Sequence, residues 1–263
     1  MNKYTLALQD FFDALLHYRI WWQLAWVEVK QRYRRSVLGP WWISISMLIF
    51  IIAMGAVFSR LFKESLADYV PFFTSGFLTW MFISTGITEG ALIFKESESF
   101  IKQVRLPFNL YIFKHLTRHG IYLAHNFVVY ILVMLYFREN PGWTALWAIP
   151  GFILLFINMY WICLLVTLLS TRYRDTIPMI SSFVQIAFFV TPISWMPKLM
   201  GAHSWILKVN PLVYFLGAIR NPLTGAHVTL HTWLFNIGFA CIGLFVTFIV
   251  FAYSRSRIAF WVD

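Results

Sequence analysis

Apolar residues in this chain are gathered into long blocks separated by short basic stretches. Six blocks approach the roughly 20 residues that a helix needs to cross a bilayer core of about 30 Å. They are 41–58, 70–93, 121–137, 143–169, 177–195 and 233–253. The third is short and extends back through 110–113, and the fourth is long and carries Pro150, so its first turns belong at the interface. A helix satisfies every backbone N–H and C=O within its own segment, which hydrocarbon demands. The pattern therefore predicts an all-α integral membrane protein of six transmembrane helices. The first block begins too late and runs too long for a cleavable signal peptide, so none is expected. With no internal repeat and no low-complexity linker, residues 1–263 read as one transmembrane domain.

The segments between blocks have their own patterns. Within 1–40, residues 5–29 run helically with Leu8, Phe11, Phe12, Leu15 and Leu16 toward one side, followed by Trp21, Trp22, Leu24, Trp26 and Val27. Tryptophan-rich amphipathic helices with basic residues favour the headgroup plane, so an N-terminal interfacial helix is expected here; the alternative is a helix packed at the end of the bundle. The loop after the second block, 95–107, predicts a short helix over 97–104 stopped by Pro107. Residues 196–232 are too long for a turn and too apolar for a solvated loop. Pro197, Pro211 and Pro222 punctuate two short apolar pieces, 205–209 and 212–219, which predicts a re-entrant helical hairpin. Residues 254–263 form a tail after the last block.

Charge orients this arrangement. The chain carries 21 basic and 11 acidic residues, for a net charge of +10. Fifteen of the basic residues fall on the side of the two termini and six on the other. By the positive-inside rule, both termini are cytoplasmic and 196–232 faces outward. Because the basic residues sit between apolar runs, they read as topology signals, and nucleic acid is not an expected partner. A composition of 60% hydrophobic, 20% aromatic and 12% charged excludes a soluble globule and a disordered chain. Cys163 and Cys241 lie in apolar stretches and read as small hydrophobes.

Enzymatic chemistry finds little footing. His115 and His119 share one helical face and could ligate a metal, but membrane metal-dependent desaturases need several histidine boxes and this chain has seven histidines in all. No metal site is therefore expected. Glu89 is the one acid within a block, near its cytosolic end, where it can pair with Lys95 or serve a pathway. The chain has no Gly-Lys pair and so no phosphate-cradling loop. Any energy for transport comes from another polypeptide, and this chain needs no cofactor of its own. Asn126, Asn158, Gln185 and Asn236 are the Asn and Gln residues within blocks, suited to interhelical hydrogen bonds or to lining a path. Aromatic faces such as Trp41 and Trp42 suit sugar rings as well as membrane interfaces.

Four stretches together resemble the polysaccharide-exporting ABC permeases, the group that covers O-antigen, capsule and teichoic-acid export. Residues 30–42, KQRYRRSVLGPWW, resemble the family's approach to its first span. Residues 100–107 resemble its cytosolic loop, although Ser97, Glu98 and Ser99 stand where the family has an Asn shortly before the Lys. Residues 172–175 with Pro178, Gln185 and 191–195 resemble its fifth span, and Asn210, Pro211 and Leu212 followed by Arg220, Pro222 and Leu223 resemble its outer re-entrant segment. The resemblance covers 30 to 225 in the expected order and is nearest to the O-antigen branch.

The resemblance implies a homodimeric channel in a bacterial inner membrane, each half bound to a cytosolic ATPase subunit that holds ATP and Mg. The implied cargo is a glycan carried on undecaprenyl pyrophosphate. Glu98, Phe100, Ile101, Lys102 and Arg105 would form the coupling helix. Arg32, Arg34 and Arg35 stand where guanidinium forks can grip pyrophosphate oxygens. Trp41, Trp42, Glu89 and Gln185 are candidates for the glycan path, and Asn210, Pro211 and Arg220 for an outer gate. The alternatives are a capsule, teichoic-acid, lipid or drug exporter of the same superfamily, or an integral-membrane enzyme acting on lipid-linked sugars.

Overall fold

The computed structural model describes residues 2–34, 36–39, 41–198 and 205–262, and every regular element among them is a helix. Arg35 and part of the outer segment, 199–204, lie outside the described residues. The N-terminal run divides into α1 (Lys3–Leu16) and α2 (Tyr18–Arg32), broken at His17, whose ring nitrogen meets the Asp13 carbonyl at 2.6 Å. Small residues Ala7 and Ala14, with Asp10, form the buried stripe of α1. Leu8, Phe12, Leu15 and Leu16 are exposed, as are Trp22 and Trp26 on α2. These large apolar residues point away from the bundle, whereas Phe11 packs on Phe113 and Tyr160, and the alanines let α1 approach the helices over Phe108–Phe137 and Leu230–Ser254 closely.

Five helices are long and apolar enough to cross a membrane. They are α3 (Trp41–Phe62), α4 (Leu66–Gly90), α7 (Phe108–Phe137), a 3-10 turn leading into α8 (Ala148–Arg172), and α12 (Leu230–Ser254) with its extension to Trp261. Between α4 and α7 lie α5 (Ile93–Glu96) and α6 (Glu98–Gln103), and the chain is a multi-pass membrane protein. The centre of the bundle is α4. In its most apolar stretch 72% of residues are buried, against 28–39% in the other four helices. Tyr69, Phe73 and Phe77 stack at four-residue spacing along it, with ring centroids 5.8 and 5.3 Å apart. Its threonine and serine hydroxyls bond back to carbonyls one turn earlier, as Thr74 does to Val70, so they carry no unmet polar demand into the core.

The expected fifth span is shorter than its apolar block. Helix α9 (Thr176–Val190) has 15 residues, about 22 Å at 1.5 Å per residue, less than the bilayer core. It stops because Thr191 precedes Pro192, whose ring disfavours helical geometry at the residue before it; Thr191 is extended at φ −94° and ψ 137°. Beyond the undescribed residues, α10 (Trp205–Val209) and α11 (Pro211–Leu223) meet at Asn210, whose side chain caps α11 through the Leu212 amide. Helix α11 packs on α8 with almost no space between backbones: a Cβ on Gly151 would run into the Ala218 carbonyl. The last short helix, α13 (Ile258–Trp261), folds back on α8.

Candidate functional site

Helix α7 sets Lys114, Arg118 and Tyr122 at four-residue spacing, with His115 and His119 beside them and Asn126 one turn deeper. Two cations at i and i+4 on one face call for carboxylates, and α2 and α4 provide them. Glu28 accepts from Lys114 Nζ at 2.6 Å through Oε1 and from Arg118 Nη1 at 2.9 Å through Oε2. The other end of the same guanidinium, Nη2, donates to Glu89 Oε2 at 2.9 Å. Arg118 therefore joins α2 to α4 across α7 with its planar fork, which a point charge could not do.

Glu89 is the hub. Arg32 Nη1 lies 3.5 Å from its Oε1, and His119 Nε2 lies 3.2 Å from its Oε2. Lys95, the expected partner, is not among these contacts. Helix α4 ends at Gly90 and the chain turns through Ala91 and Leu92, so Lys95 sits on α5, off the face that Glu89 turns toward α7. Arg32 also donates to the Tyr122 hydroxyl at 3.4 Å. Desolvation works against the Arg32 charge, but Tyr122 and Glu89 outweigh it and hold its pKa above the ordinary arginine value.

Inward from this hub opens a cavity of about 110 Å³. Polar groups of Arg32, Glu89, His119, Tyr122, Thr85 and Asn126 line it, with Ile43, Leu78, Met81, Phe82 and Leu123 as apolar wall. The structure thus brings Arg32 and Glu89, from separate expected sites, into one place.

A second polar centre fixes the start of α7. Pro107 occupies the N-cap position and has no side-chain acceptor, so the first amides of α7 need a partner from elsewhere. Asp10 of α1 supplies it: Oδ2 accepts from the Phe108 amide at 3.2 Å, and Oδ1 from the Asn109 amide at 3.0 Å and Nδ2 at 2.9 Å. Arg255 Nε, just past α12, donates to Asp10 Oδ2 at 2.9 Å, and the Tyr160 hydroxyl of α8 donates to Asn109 Oδ1 at 2.6 Å. Immediately before this centre, α6 has no buried residue. Phe100 and Arg105 are exposed, Ile101 is half-buried, and Lys102 pairs with Glu98 at 2.7 Å.

On the opposite side, Arg220 of α11 is buried, donating from Nη1 to the Pro192 carbonyl at 2.6 Å and lying 4.3 Å from the centre of the Phe72 ring. Asn210 Nδ2 donates to Thr191 Oγ1 at 2.9 Å. The end of α9 and the α10–α11 corner, expected as separate motifs, are therefore one hydrogen-bonded unit, with Pro211 as first residue of α11.

The other expected residues disperse. Arg34 is exposed, and Arg35 lies outside the described residues. Trp41 and Trp42 are exposed at the start of α3, with the Trp41 ring 5.8 Å from that of His125. Gln185 sits on the exposed face of α9, away from Glu89. Sequence reasoning passed over Asp10, Glu28, Lys114 and Arg118. The Lys114/Arg118 spacing was the available signal for the last three, whereas Asp10 had none.

Residues 19–224 match the family model described as ABC-2 type transporter. The chain is 21% identical over 196 residues to an O-antigen export system permease protein RfbA of Klebsiella pneumoniae, covering 74% of this chain and 76% of that protein. A second protein of that name from the same species is 23% identical over 187 residues, covering 70% and 72%. One from Myxococcus xanthus is 24% identical over 193 residues, covering 71% and 73%.

Proposed function

The chain belongs to the ABC-2 type transporter family, and we propose that it is the membrane subunit of an exporter that moves an O-antigen polysaccharide, linked to undecaprenyl pyrophosphate, across a bacterial inner membrane. The observation that carries this reading is the match to three O-antigen export permeases over more than two-thirds of the chain. In this reading two copies form the channel, and a separate ATPase subunit binds each half and supplies ATP hydrolysis. Both termini are cytoplasmic, α1 and α2 lie in the headgroup plane on their exposed aromatic face, and α9 with the α10–α11 corner completes a sixth, broken crossing.

Each site then has a task. Arg32, Arg34 and Arg35 capture the pyrophosphate, a role supported by the half-exposed Arg32 side chain at the cavity mouth. Helix α6 and the link after it dock on the ATPase through Glu98, Phe100, Ile101, Lys102 and Arg105, a role supported by the lack of buried residues in α6. Trp41, Trp42, Glu89 and Gln185 contribute to the glycan path, and Asn210, Pro211 and Arg220 hold the outer gate.

The test is reconstitution in proteoliposomes with a candidate ATPase and a defined lipid-linked glycan. Expected is ATP-dependent appearance of the glycan on the far side, lost when Arg32, Arg34 and Arg35 are all replaced by Gln in protein that still inserts. Transport that survives this triple change ends the arginine role, and glycan-modifying chemistry without any ATPase ends the exporter reading.

A further inference from the structure

At the end of α4 opposite to Glu89, a groove of about 810 Å³ opens between α3, α4 and α7. That volume falls within the roughly 300–1,000 Å³ of sites that enclose most of a small ligand. Side-chain size creates it. Gly55 lets α3 close on α4, since a Cβ there would stand 2.8 Å from Val70 Cγ2. Ala56, exposed beside it, projects only a methyl group, and the space it leaves runs on to Leu132 and Tyr136 of α7.

One stripe of α3 gives the groove its length: Leu48, Ile52, Ala56 and Arg60, at four-residue spacing. From Leu48 to Arg60 the helix rises about 18 Å, against about 15 Å for one leaflet of the hydrocarbon core. Helix α3 ends at Phe62, and the charged Lys63 and Glu64 follow. The three apolar members of the stripe therefore lie at acyl-chain depth and Arg60 at headgroup depth. Tyr136, one residue before the end of α7, comes to the same level, where tyrosine hydroxyls meet the polar layer.

The polar end carries a charge that the protein leaves uncompensated. Glu64 lines the groove too, but Lys198 Nζ holds its Oε1 at 2.6 Å. Asp68 is engaged by the Ser65 hydroxyl at 2.6 Å in the cap of α4. Arg60 is exposed and makes no ion pair among the described residues, and Lys63, also exposed, adds a second cation next to it. A free inorganic anion would leave the apolar walls uncovered. A zwitterionic lipid would bring its own cation toward Arg60, Lys63 and Lys198. A lipid whose headgroup is a phosphodiester of an uncharged alcohol matches both the walls and the charge.

We propose that this groove binds one anionic phospholipid of the leaflet at the Arg60 end, its phosphate held by Arg60 and Tyr136 and one acyl chain lying along Leu48, Ile52 and Ala56. The site depends neither on the cargo of an exporter nor on an ATPase.

The experiment places the full-length chain in phosphatidylcholine nanodiscs with a trace of phosphatidylglycerol, phosphatidylethanolamine or phosphatidylcholine that carries a photoactivatable diazirine in one acyl chain. Labelled peptides are mapped by mass spectrometry. The phosphatidylglycerol probe should label 48–60 and 132–137 about fivefold more than either zwitterionic probe, the factor that one basic residue contributes toward an anionic lipid. Arg60→Gln should abolish the preference and Arg60→Lys should keep most of it. Ala56→Trp fills the groove and should suppress labelling of 48–60 by all three probes. Arg19→Gln, at an exposed position on α2, should change nothing in these segments. Equal labelling by the three probes in the parent overturns the proposal, as does a preference that survives Arg60→Gln. A disulfide-linked dimer formed in full yield by Ala56→Cys would show a second copy in the groove and overturn it too. If Ala56→Trp does not fold, Arg60→Gln decides alone.

Discussion

Asp10 should matter more to this protein than any other carboxylate near its termini, and replacing it with Ala isolates the reason. The side chain is 1% exposed and accepts from two backbone amides, one side-chain amide and one guanidinium. Removing one partner of a buried ion pair costs about 3–5 kcal/mol. Arg255 is 31% exposed and can turn to water, which pulls the figure toward the lower end. Against that, the Phe108 and Asn109 amides lose their cap, worth about 0.5–2 kcal/mol, and Pro107 cannot replace it. These terms share one group and do not add, so about 3 kcal/mol is expected in total. Membrane proteins often unfold irreversibly, so the better assay is hydrogen exchange of the first-turn amides of α7 in nanodiscs. Three kcal/mol corresponds to roughly a hundredfold rise in exchange at Phe108 and Asn109. Asp10→Asn keeps one acceptor and should fall between. Exchange within threefold of the parent in Asp10→Ala would show that the cap is not holding the helix end.

Arg118→Ala should free the C-terminal half of α2 from the bundle, since Glu28 keeps only Lys114 and Glu89 only Arg32 and His119; faster hydrogen exchange over 26–32 would register it, and unchanged exchange would count against the bridge. Arg118→Lys should be almost as damaging, because an ammonium cannot span two carboxylates as the fork does. Gly151→Ala forces a methyl group into the Ala218 carbonyl and should destabilise the α8–α11 contact by about 1–3 kcal/mol, read as a shorter half-life in detergent. Arg220→Gln should loosen the turn after α9, so that a cysteine placed at Ile193, buried in the parent, reacts several times faster with a maleimide.

Most of the helical fold can be read from the sequence because the bilayer simplifies the problem: a long apolar run has one backbone solution. The blocks beginning at Trp41 and Val70 correspond to α3 and α4, and the short helix expected before Pro107 is α6. The α10 piece is found at Trp205–Val209, as expected. The fifth span is where hydropathy misleads. Residues 177–195 are apolar throughout, yet the backbone breaks at Thr191, a local proline effect that averaged hydropathy does not register. The direction of α1 was illegible for a different reason. In a membrane protein the large apolar residues can face lipid as readily as the core, so Leu8 and Phe12 point out while Ala7, Asp10 and Ala14 point in. The site followed the same logic. Arg32 and Glu89 stood out singly as charges near a membrane boundary, but their meeting depended on how α2 lies across α7, and that depends on Glu28 and Arg118.

These two polar centres have a joint consequence for how the protein can move. Asp10, Tyr160 and Arg255 bring α1, α8 and the end of α12 onto the first turn of α7, and Glu28 brings α2 onto the same helix less than three turns further along. Along the chain, α6 joins α7 through the short extended link before Pro107, and α6 also packs on α5, which touches α7 and α8. To absorb a displacement of α6 locally, the protein would have to break several buried charge-assisted bonds at once, each among the stronger hydrogen bonds a protein makes. The lower-energy response is for α1, α2 and α7 to shift as one body and for compliance to appear where buried contacts are sparse. Helix α9 is that place: only Val184 and Ala187 of its fifteen residues are buried, and its far end is held by side-chain bonds from Asn210 and Arg220 around the Thr191–Pro192 break. Compliance within the bundle is therefore expected at the α9–α11 corner, where buried contacts are sparse, and not around the N-terminal clamps.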